Sequence, residues 1–184
     1  MITAGVLITP VLFSPLPKFN SPLSTVVEAN DGSLLGARIA GDGQWRFPSS
    51  SLVPEKFEKS LLTFEDKWFY YHPGINPVSI FRALKNNIKA GEVVSGGSTI
   101  TMQVARISRG NLPRSYKEKI IEMFSALKLE LFRPKKRILE LYTSNAPFGG
   151  NTVGLEAAAW RYTGKSSADL TWAEAAALAI LPNS

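Results

Sequence analysis

Three groups of residues in this chain have the types and spacing to do chemistry. The first is FEDKWFYYHPG, residues 64–74, where Glu65 and Asp66 sit among Phe64, Trp68, Phe69, Tyr70, Tyr71 and the only histidine, His72. On a helix, with about 100° between successive side chains, Glu65 lies on the shoulder of a Phe57/Leu61/Phe64/Trp68 stripe, while Asp66 points nearly opposite to its centre. Glu65 is then half-desolvated. Desolvation disfavours the charged form of a carboxylate, which suits a general base or acid; the plainer alternative is a boundary glutamate paired with a lysine. His72 reads as a cap or packing residue. The second group is SGGSTITMQVAR, residues 95–106. Here Gly96-Gly97 gives a tight turn, Ser98 or Thr99 caps the helix that follows, and the helix start offers N–H groups to an anion. Gln103 and Arg106 share a face of that helix. The stretch lacks the spacing and the Lys-Ser/Thr pair of a P-loop, so a glycine turn before an ordinary capped helix is its alternative. The third group is Lys119 and Glu122, one turn apart on the side away from an Ile120/Phe124/Leu127 stripe. By itself that pair reads as a solvated ion pair.

The elements that must position these residues are mostly helical. VVEANDGSLLGARIAGDGQWRF has short apolar runs with Asp31-Gly32 and Asp42-Gly43 as turn signals, which predicts a small β-hairpin or meander. Pro54 opens a helix carrying the Phe57/Leu61/Phe64/Trp68 stripe, and Pro73-Gly74 closes it. Asn76-Pro77 supplies an N-cap and a first-turn proline for the next helix, which Gly91 ends. KEKIIEMFSALKLELF presents Ile120, Phe124, Leu127 and Leu131 at helical spacing. Pro134 restarts a helix through Tyr142, and TWAE at 171–174 is a capping box before the last one.

Composition narrows the class further. A chain of 184 residues with 45% apolar content is long enough for one domain with a real core. The net charge of +6 favours an anionic partner without choosing among phosphate, nucleic acid and acidic membrane. The absence of cysteine excludes disulfides and thiol chemistry, and a single histidine leaves no zinc cluster to assemble. MITAGVLITPVLF is apolar and uncharged but shorter than the ~20 residues that span a bilayer. With Pro15, Pro17 and Pro22 after it, residues 1–23 read as the remnant of a membrane anchor and a Pro-rich linker. The apolar helical run at the other end suggests a domain, residues 24–184, cut short at its C-terminal side.

In chain order, EDKWFYYHPG, GGSTITMQ, KIIEMFSALKLE, KKRILELY and GGNTVGLEAAAWRYTGK resemble the successive motifs of glycosyltransferase family 51, the peptidoglycan transglycosylase module of class A penicillin-binding proteins. Met102, where most members carry a second Gln, together with NAPFGG, is similar to the penicillin-binding protein 1C branch. The resemblance implies a mainly α, lysozyme-like helical fold with a small N-terminal β-hairpin, seated on the outer, periplasmic face of the bacterial cytoplasmic membrane. It implies polymerisation of lipid II into glycan strands with release of undecaprenyl pyrophosphate, so the partners are lipid II, the growing lipid-linked strand, the membrane and a cell-wall synthesis complex, and not nucleic acid. By motif position, Glu65 is the base for the acceptor 4-hydroxyl and Glu122 the second acidic residue near the donor diphosphate. Asp66, Gly97, Ser98, Thr99, Gln103, Arg106 and Lys119 line the substrate subsites, with Phe64, Trp68 and Phe69 fixing the helix that presents Glu65. No cofactor or metal ligand set is implied, while a divalent cation such as Mg2+ is left open. Two departures stand out: the family's Arg-Lys pair is Glu118-Lys119 here, and Thr163 replaces a common aromatic. The competing readings are a lysozyme-like muramidase, using one Glu and water, and a non-enzymatic module that binds anionic membranes.

Overall fold

The turn chemistry of Asp31-Gly32 produces the one hairpin among the described residues. Asp31 Oδ1 accepts the Ser33 N–H at 2.9 Å and Gly32 takes φ 81°, so β1 (Thr25–Glu28) and β2 (Leu34–Arg38) run antiparallel with Thr25 opposite Arg38 and an irregularity between Val27 and Glu28. The computed structural model describes residues 16–48, 52–92, 96–110, 112–113 and 115–183; the anchor remnant expected at 1–13 lies outside them. Everything else is helical or irregular, and the fold is mainly α as expected. Contacts within the chain gather into two units. The first comprises Trp68–Ile138 with residues 16–18, and the second Phe19–Lys67 with the stretch from Leu139 onward.

The second unit is built on α1 (Glu55–Glu65), which packs against α7 (Trp172–Ile180) beside α6 (Leu155–Thr163). Phe57 and Leu61 are fully buried, and Phe57 meets Phe148 with ring centres 6.1 Å apart. The stripe stops there. Phe64 is 59% exposed, and α1 ends at Glu65, where Asp66 turns out of the helix with its N–H on the Leu62 carbonyl. Trp68 is neither helical nor buried and stacks edge-on to Tyr71 at 5.7 Å. The expectation that Phe64 and Trp68 fix this helix, and that it continues to Pro73-Gly74, is therefore corrected. The chain passes from one unit to the other at Lys67, so later aromatics serve another core, as buried Phe69 does. The second unit closes with the expected capping box, in which Thr171 and Glu174 exchange side chain-to-backbone bonds at the start of α7.

The first unit contains α2 (Pro77–Ala90), α3 (Ile100–Ile107), α4 (Tyr116–Phe132) and the opening turn of α5 (Lys135–Asn145). Asn76 Oδ1 caps α2 through the Ser79 N–H at 3.1 Å, and Gly91 ends it in the left-handed region. The short α3 buries Ile100, Thr101, Met102, Val104 and Ala105 and packs on α4. On α4 the expected apolar stripe holds only at its middle, where Phe124 and Leu127 are half-buried. Ile120 and Leu131 are exposed, and the most buried positions are Glu122, Ala126 and Leu129. The loop before α2 passes close to this helix: a Cβ on Gly74 would lie 2.9 Å from the Ala126 carbonyl oxygen, so a glycine is needed there.

Candidate active site

Most of the sequence-nominated residues that face one another do so in the first unit, around the start of α3. Gly97 lies against α2 so tightly that a Cβ there would stand 2.8 Å from Ile80 Cα. Only glycine lets the loop pass. Thr99 then caps α3, its hydroxyl accepting the Met102 N–H at 3.1 Å and donating to the Gly74 carbonyl at 2.6 Å. The loop is held on both sides, and Ser98 is carried on it toward α4. There Lys119 Nζ donates to Ser98 Oγ at 2.5 Å and to Glu122 Oε2 at 3.1 Å.

Gly97, Ser98, Arg106, Lys119 and Glu122 line one cavity of about 340 Å3, with Ile80, Ala83, Leu84 and Met123 as its apolar wall. The Glu122 side chain is 9% exposed and that of Lys119 39%, so the carboxylate is the inner partner and the ammonium the outer one. Two cations and one carboxylate leave a net positive cavity at the N-terminal end of a helix, a combination that attracts an anion. Glu118, the departure from the family pattern, does not reduce this charge directly. It turns to Arg109, 3.0 Å away, and neither residue lines the cavity.

The remaining nominees lie elsewhere. Thr99 is buried with its hydroxyl engaged as described, and Gln103 is half-buried on α3; neither lines the cavity. Glu65 and Asp66 belong to the second unit. Glu65 is half-buried at the last position of α1, as its shoulder position predicts, whereas Asp66, expected to point away from the core, is 6% exposed. A residue not nominated from sequence joins Glu65 in that unit. Tyr142 on α5 is fully buried, and burial first, then the Glu65 carboxylate, push its hydroxyl well above the usual tyrosine range, so it stays a protonated donor in the electrostatic reach of that carboxylate. The only sequence signal for it is an aromatic inside KKRILELY. His72 is the loop-capping residue expected: its Nδ1 accepts the Gly74 N–H at 3.1 Å. Among the described residues no three His, Cys, Asp or Glu side chains converge as a metal ligand set.

The sequence profile of a family described as Transglycosylase matches residues 33–184. Penicillin-binding protein 1C of Escherichia coli K12 is 44% identical over 169 residues, 91% of this chain and 22% of that protein. Penicillin-binding protein 1A of Aquifex aeolicus is 38% identical over 167 residues, 91% of this chain and 23% of the relative. The corresponding protein of Neisseria flavescens is 35% identical over 188 residues, 99% of this chain and 23% of the relative. The chain thus spans less than a quarter of the length of these relatives.

Proposed function

The chain belongs to the transglycosylase family of the penicillin-binding proteins, and from that premise we propose that it is a peptidoglycan glycosyltransferase that polymerises lipid II and releases undecaprenyl pyrophosphate. The observation that supports this reading is the cavity lined together by Ser98 before α3, Arg106 in its last turn, and Lys119 and Glu122 on α4. Attack on the donor anomeric carbon breaks its bond to the diphosphate, and the electron pair leaves with that group. Cations fixed there favour the transition state over the ground state, because the charge they meet grows as the bond breaks. Arg106 and Lys119 take that duty, with Glu122 and Ser98 holding the Lys119 ammonium in place.

The acceptor 4-hydroxyl is a poor nucleophile at neutral pH. Glu65 takes its proton as the new bond to the anomeric carbon forms, and direct attack inverts that carbon. A muramidase would need one acid and water but no cationic cavity, so nothing in the site favours it.

The substrate's lipid tail calls for a membrane, and α2 is suited to one. Val78, Phe81, Leu84 and Ile88 are exposed along one side of this helix, 55–75% each, with Arg82, Lys85 and Lys89 along its flank. An amphipathic helix of this kind lies in the interfacial plane of an anionic bilayer. We place it on the outer face of the cytoplasmic membrane. No helix among the described residues is long and apolar enough to cross one.

The test is binding of undecaprenyl pyrophosphate to Arg106→Ala and Lys119→Ala. Loss of a charge-assisted hydrogen bond to phosphate is worth about 1.5–3 kcal/mol, so each variant should bind roughly tenfold or more weakly. Wild-type affinity in both would remove the diphosphate from this cavity.

A further inference from the structure

Elsewhere in the first unit is a second polar cluster that the chemistry above does not use. Lys135, the first residue of α5, places its ammonium 2.7 Å from Glu130 Oε1 and 2.7 Å from the His72 carbonyl oxygen, and 4.5 Å from the centre of the Phe69 ring. The same Glu130 oxygen accepts the Thr101 hydroxyl at 2.6 Å. Thr101 is fully buried, and the Lys135 and Glu130 side chains are 18% and 9% exposed. A chain of polar contacts therefore runs from the His72 carbonyl through Lys135 and Glu130 to Thr101 in the first turn of α3. Two residues away on that turn, Thr99 grips the Gly74 carbonyl of the same loop.

A buried ion pair of this kind adds little net stability, because the cost of removing both charges from water offsets their attraction, and apolar residues of equal volume often serve as well. What the pair does supply is direction, since each donor and acceptor in the chain has a required place. We propose that Lys135 is a positioning residue for the glycosyl transfer. By holding the His72 carbonyl and Glu130 together, it fixes the start of α3, and with it the preceding Ser98, which lines the cavity and holds the Lys119 ammonium. This rests on the reading of that cavity as the diphosphate subsite.

The experiment separates positioning from stability. In the full-length protein, Lys135→Met, Glu130→Met and Thr101→Val are combined, replacing the polar chain by apolar groups of similar size. The combined variant should melt close to wild type, yet bind undecaprenyl pyrophosphate on the order of 10–100-fold more weakly, the effect of a small displacement at a preorganised site. A variant that keeps both its melting temperature and its affinity within twofold of wild type would overturn the proposal. A second route does not depend on the combined variant folding. With any cysteine outside these 184 residues, which contain none, replaced by serine, Lys135→Cys followed by alkylation with 2-bromoethylamine restores an ammonium of nearly lysine length at that position. Recovery of affinity on alkylation is expected; complete alkylation without recovery, in protein that melts like wild type, would contradict it. Arg106→Ala is measured alongside. Normal binding by Arg106→Ala removes the diphosphate subsite and this inference with it, whereas weakened binding there with none in the combined variant defeats this inference alone.

Discussion

In the proposed reaction Lys119 meets the diphosphate with its ammonium aimed by its neighbours. Ser98 and Glu122 take two of its three N–H donors and leave one for a ligand. Glu122 also neutralises part of its charge, so the second cation, Arg106, is needed for the cavity to remain positive. Glu65 has a separate role in the proposed reaction, since a half-buried carboxylate can take a proton and cannot hold an anion. Glu65→Gln keeps size and hydrogen bonding and removes the base. Polymerisation should fall by ~10²–10⁴-fold, with affinity for undecaprenyl pyrophosphate unchanged; polymerisation within about tenfold of wild type would show that another group accepts the proton. Of the residues nominated from sequence, Gly97, Ser98, Arg106, Lys119 and Glu122 meet in one cavity. Their turn, cap and i, i+3 spacings are local and hence legible. Tyr142 was not legible, because its electrostatic link to Glu65 joins residues far apart along the chain.

At the scale of elements, caps read well and faces read poorly. Asn76, Thr99 and Thr171 cap their helices through bonds to residues three positions on, so a short window of sequence contains the whole device. The buried face of α4 depends on what packs against it, α3 and the loop at Gly74, which are contacts between distant segments, and hydrophobic periodicity alone puts Ile120 and Leu131 inside when they are exposed. The end of α1 follows the same rule. Two element-scale outcomes are expected. Leu61→Ala removes one of the two fully buried anchors of α1 and should lower unfolding free energy by about 2–5 kcal/mol in urea titrations; a loss well under 1 kcal/mol would mean the helix is held otherwise. In the α7 capping box, the Thr171 N–H first, then the Lys165 ammonium and the Thr171 hydroxyl, hold the Glu174 carboxyl down at about 2 from its ordinary 4.5. Because the folded value is the lower one, this contribution is complete above about 4.5 and is lost as pH falls toward 2. The melting-temperature gap between wild type and Glu174→Gln should therefore narrow over that range; a gap constant with pH would contradict the cap's ionic character.

For the molecule as a whole, the net charge of +6 and the exposed apolar side of α2 are both compatible with the proposed surroundings, an anionic bilayer carrying a lipid-linked substrate. The excess charge is legible from composition, but the exposure of Phe81 and Ile88 is not, since apolar residues at helical spacing ordinarily indicate a core. Each can gain about 1.5–3 kcal/mol on full burial, so Phe81→Glu with Ile88→Glu should reduce co-sedimentation with anionic vesicles at least about tenfold. Unchanged binding would take α2 out of the membrane contact. The central claim, lipid II polymerisation, is tested most directly by incubating the full-length protein in liposomes with labelled lipid II and resolving products by chain length. Glycan strands that lengthen with time, with one undecaprenyl pyrophosphate released per new linkage, are the predicted result; lipid II left unpolymerised, or preformed strands cut shorter, would contradict it.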